Sequence, residues 1–138
     1  MSDTPQDALA SLVAEAGIKR TLARYCHAID DGDFDALGEC FALDAELNAF
    51  GRTRNGREAV TALLAKAMPA ENRGKHLIAN TSIGDLRAGA GGAARASVLS
   101  DFAFVGKDGS VTTGRYTDEF VCPDGAWLIA SRDISFAG

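Results

Sequence analysis

Apolar residues recur with a helical period through the first half of the chain and with a strand period through the second. From about residue 6 to 30, Ile18, Leu22, Tyr25 and Ile29 fall three or four apart, which places them on one helix face. Gly17 is a candidate break in that helix, and Gly32 is well placed to terminate it. Asp33 then stands where an N-cap is needed, before a short second helix in which Phe34, Leu37 and Phe41 recur. A strand is predicted around 45–50. Asn55-Gly56 introduces a third helix over about 57–68, with Ala59, Val60, Leu63, Leu64 and Ala67 on one side.

Four strand-like runs follow, at about 76–87, 94–106, 111–122 and 126–136, joined by short glycine-bearing connections. In the second run Ala96, Val98, Ser100, Phe102 and Phe104 share a face; in the last, Leu128, Ala130, Arg132, Ile134 and Phe136 do. Helices first and an antiparallel meander afterwards predict an α+β fold. A long curved sheet wrapped around the N-terminal helices, with isolated polar residues on its apolar face, implies an enclosed pocket. The 138 residues are expected to form a single domain, residues 1–7 being a flexible N-terminus.

Composition narrows the function. Hydrophobic residues make up 46% and charged residues 24%, ordinary for a globular protein. The net charge of −5, with no strongly basic segment, argues against nucleic-acid binding, which needs Lys and Arg to neutralise phosphates. No run is long enough for a membrane helix, and the start lacks the basic and apolar regions of a secretion signal. A cytoplasmic location with no membrane partner is therefore expected. The three cysteines, Cys26, Cys40 and Cys122, share no metal-ligand spacing, and Cys26 and Cys122 read as core thiols. With only two histidines, no metal site is expected, and Gly89-Ala-Gly91-Gly92 is no dinucleotide fingerprint because a strand follows it.

One acid stands out. Asp30 lies beside the Leu22/Tyr25/Ile29 stripe near a helix C-terminus, where the macrodipole disfavours a carboxylate and burial would be costly without a partner. His76 opens a buried strand and is the candidate partner. A carboxylate on Nδ1–H would fix the tautomer and leave the other ring nitrogen as a base. The bland alternatives are a satisfied core histidine, and an Asp30 paired with Arg24 or Lys19. Asp31 and His27 suit solvated positions. Arg132 interrupts an apolar strand face; it would stabilise a developing anion, form an ion pair with an acid such as Asp118 or Glu119, or sit at an edge in solvent. Tyr25 and Tyr116 could donate phenolic hydrogen bonds to a substrate or simply pack. Phe50, Phe102 and Ser100 are candidate pocket wall.

Several stretches resemble the SnoaL-like branch of the nuclear-transport-factor-2-like superfamily. These are Tyr25-xxxx-Asp30-xx-Asp33-Phe34-xx-Leu37, His76 at the head of its strand, Gly114-Arg-Tyr116-Thr-Asp-Glu-Phe120, and Gly125-Ala-Trp127-Leu-Ile-xx-Arg132. The resemblance spans about residues 8–136 and implies a cone-shaped α+β domain. That superfamily also contains scytalone dehydratase, hexachlorocyclohexane dehydrochlorinase and ketosteroid isomerase. By resemblance, Asp30 and His76 match the Asp–His dyad of the first two, and Arg132 matches an arginine placed near the dehydrochlorinase's leaving group. Ile29 stands where scytalone dehydratase has a tyrosine, and Leu99–Phe104 offers no second histidine, so that particular activity is not implied.

These residues predict a cofactor-independent acid–base enzyme, a dehydratase, isomerase or cyclase, acting on a small apolar cyclic or aromatic molecule. Tyr25, Phe50, Ser100, Phe102 and Tyr116 would bind the substrate, with Asp30, His76 and Arg132 catalytic. The resemblance also implies a homodimer or homotrimer formed through the outer sheet. The alternative is a non-catalytic binding or assembly domain, like oxygenase small subunits, or a lipophilic carrier. A pocket with Asp30 and His76 in hydrogen-bond reach would separate the first reading from the second.

Overall fold

A computed structural model describes residues 4–137. Its elements run α1 (Pro5–Asp31), α2 (Phe34–Gly38), β1 (Phe41–Ala49), β2 (Arg52–Asn55), α3 (Arg57–Ala67), β3 (Lys75–Ile83), β4 (Arg87–Ala88), β5 (Ala94–Val105), β6 (Val111–Cys122) and β7 (Leu128–Phe136). The architecture is α+β, as the sequence predicts. The sheet order is β2-β1-β7-β6-β5-β3, with β4 pairing to β5. Every pair is antiparallel except β1 with β7.

α1 is continuous through Gly17. Its N-terminus is fixed by a capping box between Thr4 and Asp7 with Pro5 in the first turn, so helix already occupies residues 5–7 of the expected flexible segment. Residues 1–3 of that segment lie outside the described residues. The helix ends at Gly32, whose φ of 71° is the left-handed conformation a C-terminal stop uses. Asp33 caps α2 by accepting from the Ala36 N–H, in keeping with its position.

Gly17 breaks nothing because its role is close approach. A Cβ there would stand 2.6 Å from Cδ1 of the buried Trp127. One turn on, the Thr21 hydroxyl donates to the Trp127 carbonyl at 2.5 Å, so helix and strand are clamped at this point. Gly17→Ala is expected to lower stability by about 1–2 kcal/mol despite a helix-propensity gain of about 1 kcal/mol, because overpacking a fixed ring outweighs it. Thermal unfolding checks this; a raised midpoint would contradict it.

Strand expectations change in three places. The run over about 76–87 is divided into β3, ending at Ile83, and the separate β4, because residues 84–86 leave the ladder. The run predicted near 45–50 begins at Phe41, and its hairpin partner β2 carries no strand signal because Arg52-Thr-Arg-Asn55 is polar and mostly exposed. The turn between them places both Phe50 and Gly51 at positive φ, 57° and 70°. In β7 the register slips opposite Glu119/Phe120, so alternation is lost: Ile129 is fully buried, Leu128 and Ala130 are only partly covered, and Arg132 returns inward. The core lies between the inward face of the sheet and one side of α1 and α3, with Ile18, Leu22, Tyr25, Val60, Leu64 and Phe120 buried there.

Candidate active site

The last turn of α1 presses against the start of β3 and joins the two candidate residues. Asp30 accepts the His76 backbone N–H at 3.1 and 2.9 Å through its two oxygens, and lies 2.6 Å from His76 Nδ1. Both side chains are more than nine-tenths buried, at 7% and 8% exposure. The misplaced carboxylate thus receives two N–H groups, which offset its desolvation and the unfavourable helix end. With Nδ1 engaged by an acceptor, the neutral imidazole carries its proton there, and Nε2 is left with a free lone pair. Among the described residues Nε2 has no hydrogen-bond partner and is not a sealed buried atom.

His76 forms part of the wall of a cavity of about 520 Å³. Much of the lining is apolar, Ile29, Leu64, Phe50, Phe102, Phe104 and Phe136 among it. Phe104 packs on the imidazole at 4.8 Å, and Tyr25 meets it edge-on at 6.5 Å. Tyr25 and Tyr116, 5.9 Å apart and almost wholly buried, are the phenols of the cavity. Burial pushes both hydroxyls above their ordinary value, further from ionising than a free phenol.

Arg132 lies behind those rings and does not line the cavity. Its guanidinium pairs with Asp118 through Nε and Nη2, both at 2.8 Å, with both side chains fully buried. Its Cζ is 3.7 Å from the Tyr116 ring centroid and 4.5 Å from that of Tyr25, cation–π contacts that help solvate the charge. Burial works against the charged form, but Asp118 outweighs it and holds Arg132 above its usual value. Of the alternatives open to Arg132, the ion pair with Asp118 is the one adopted, and contact with a ligand would have to pass through the tyrosines.

Ser100 is also off the cavity; it is fully buried with its hydroxyl 3.3 Å from that of Thr81. Tyr25, Phe50, Phe102 and Tyr116 do line the cavity with His76. The polar mouth, with Asn72, Lys107, Asp108 and Ser110, has no signature in the sequence, since these residues sit in connections without periodicity. Asp31 and His27 are exposed, as expected.

Among the described residues no group of three His, Cys, Asp or Glu side chains could hold a metal ion. The three cysteines are free thiols. Burial pushes the Cys26 thiol up to about 12 and raises Cys40 as well. A raised pKa leaves the unreactive thiol at neutral pH. Cys26 and Cys40 are therefore expected to resist iodoacetamide at pH 8 in the native protein and to react on unfolding, which mass spectrometry of the alkylated protein would read.

An α+β domain whose cavity wall carries the histidine of a histidine–carboxylate pair is the class that fold and site define. A family model described as the SnoaL-like domain matches residues 10–133, and the chain belongs to that family. A search of curated proteins finds no match. Solved structures of similar fold include a putative scytalone dehydratase from Novosphingobium aromaticivorans, 23% identical, with a TM-score of 0.79 over 93% of this chain and 87% of that one. LinA is 19% identical, with a TM-score of 0.80 over 96% and 91%. A point variant of a Mycobacterium tuberculosis protein of unknown function is 26% identical, with a TM-score of 0.76 over 97% and 76%. No helix among the described residues is long and apolar enough to cross a membrane.

Proposed function

We propose that this protein is an acid–base enzyme that removes a proton from an activated carbon of a small, mainly apolar, ring-containing molecule. The observation that carries the reading is His76, tied through Nδ1 to buried Asp30 while the residue lines a cavity of about 520 Å³. Nε2 takes the proton, and Asp30 stabilises the imidazolium that forms. Tyr25 and Tyr116, phenols that line the cavity, would donate to the carbonyl oxygen on which negative charge develops. Return of the proton to another carbon gives isomerisation; loss of a β-hydroxyl or halide gives elimination; attack of the carbanion on a second carbonyl gives cyclisation. All three share the first step, and one structure of similar fold, named as a putative scytalone dehydratase, favours the elimination branch.

The test is a panel of cyclic β-hydroxyketones, enones and halogenated rings given to wild type, His76→Ala and Asp30→Asn. Turnover, or exchange of the acidic C–H in heavy water, should appear in wild type and collapse in both variants. Equal rates in all three would remove the mechanism. Tight ligand binding without turnover, unchanged in His76→Ala, would make the protein a carrier.

A further inference from the structure

The cavity is chemically two-ended. Its inner end holds His76, Tyr25 and Tyr116 within aromatic walls, and its mouth is edged by the segment after α3 and by the β5–β6 hairpin. Lys107, in that hairpin, is the only Lys or Arg among the lining residues. Its ammonium donates to the Ala70 carbonyl at 3.3 Å, a contact that leans the side chain across the mouth and leaves its remaining protons free. Among the described residues it forms no salt bridge. Asp108, the adjacent acid, is turned into its own loop, where it accepts the Ser110 N–H at 2.9 Å. Glu71 at the same mouth is exposed and likewise without a salt bridge among the described residues.

We infer that Lys107 is the specificity residue of the cavity, binding an anionic or strongly polar tail of a substrate whose ring body lies against the aromatic walls. The inference rests on the reading of this cavity as a substrate site and adds the class of molecule. His76 pairs with Phe104 in the sheet, and Lys107 lies three residues further along the same strand and its turn. At about 3.3 Å per residue, this offsets the two backbone positions by at most roughly 10 Å along the strand direction. That span suits a bicyclic ring system with a carboxylate arm, which would put the acidic carbon under Nε2 and the carboxylate at the mouth. The cation is solvent-exposed, so it sorts ligands more than it tightens them. Glu71 opposes it, which limits the preference and predicts that its removal would sharpen it.

The experiment is calorimetric titration of 2-naphthylacetate and the neutral 2-naphthylacetamide into wild type, Lys107→Met and Glu71→Gln. Wild type should favour the acid by about three- to tenfold, as expected for one exposed charge-assisted contact. Lys107→Met should erase that preference while leaving amide affinity unchanged, and Glu71→Gln should enlarge it. Raising the salt concentration should shrink the wild-type preference. Equal affinity for the two ligands in wild type, or a preference that survives Lys107→Met, overturns the role of Lys107 and leaves the proton-transfer reading standing. Failure of both ligands to bind any of the proteins overturns the substrate class proposed; the turnover panel separately decides the His76 reading.

Discussion

Replacing His76 with glutamine is expected to lower turnover of a competent substrate by about 10²–10⁴-fold, the range a positioned general base contributes, while the protein remains folded. Glutamine keeps the backbone N–H that Asp30 accepts, so the helix–strand junction retains half of its link. Asp30→Asn is the more informative partner. An asparagine oxygen can still accept that backbone N–H, but its amide would donate to Nδ1. The imidazole would then carry its proton on Nε2, facing the cavity as a donor instead of a base. The two variants should therefore lose comparable activity with little change in ligand affinity, because neither alters the aromatic wall. If Asp30→Asn kept wild-type turnover, orientation of the imidazole by the carboxylate would be discarded, even if His76→Gln were inactive.

The pairing of Asp30 with His76 was legible as a candidate because burial of a carboxylate at a helix end demands a partner and the chain contains only two histidines. The resemblance to the SnoaL-like family is what favoured it over a satisfied core histidine. The helical stripe and the hairpin glycines were legible for similar reasons, since each rests on local periodicity or turn chemistry. What escaped depends on register. A slip in β7 exchanges the facing of Leu128 and Ile129, and nothing in Trp127-Leu-Ile-Ala-Ser marks where alternation fails. β2 escaped because an edge strand facing solvent needs no apolar alternation. Ser100 shares the inward face of β5 with Phe102, but one pair of residues deeper it meets Thr81 and not the cavity. Periodicity tells which face a side chain takes; it does not tell how far along that face the empty space begins.

The same limit explains Arg132. An inward arginine must be paired, but the sequence left open whether its partner would be a ligand or an acid one strand away. Asp118 stands directly opposite Arg132 in the β6–β7 register, and a planar fork meeting a carboxylate there forms both bonds at 2.8 Å. This position makes the pair a support for the cavity: the guanidinium packs on the rings of Tyr25 and Tyr116, the two phenols that line it.

Asp118→Asn is accordingly expected to be the most destabilising conservative change in the protein, at about 3–5 kcal/mol, because it leaves a fully buried guanidinium without its counter-charge. Burial already pushes the Asp118 carboxyl upward against the pull of Arg132, so desolvation is a real opponent of this pair. Nη1 of Arg132 has no hydrogen-bond partner among the described residues even in the intact protein, which leaves the variant few ways to compensate. Joint replacement, Asp118→Leu with Arg132→Met, removes both charges and should recover most of the loss. Denaturant unfolding of the single and double variants measures the difference. A loss below about 1 kcal/mol in Asp118→Asn would mean that stacking on the tyrosines, and not the carboxylate, holds the guanidinium. Recovery of stability in the double variant would show that the fold needs only that no charge be stranded.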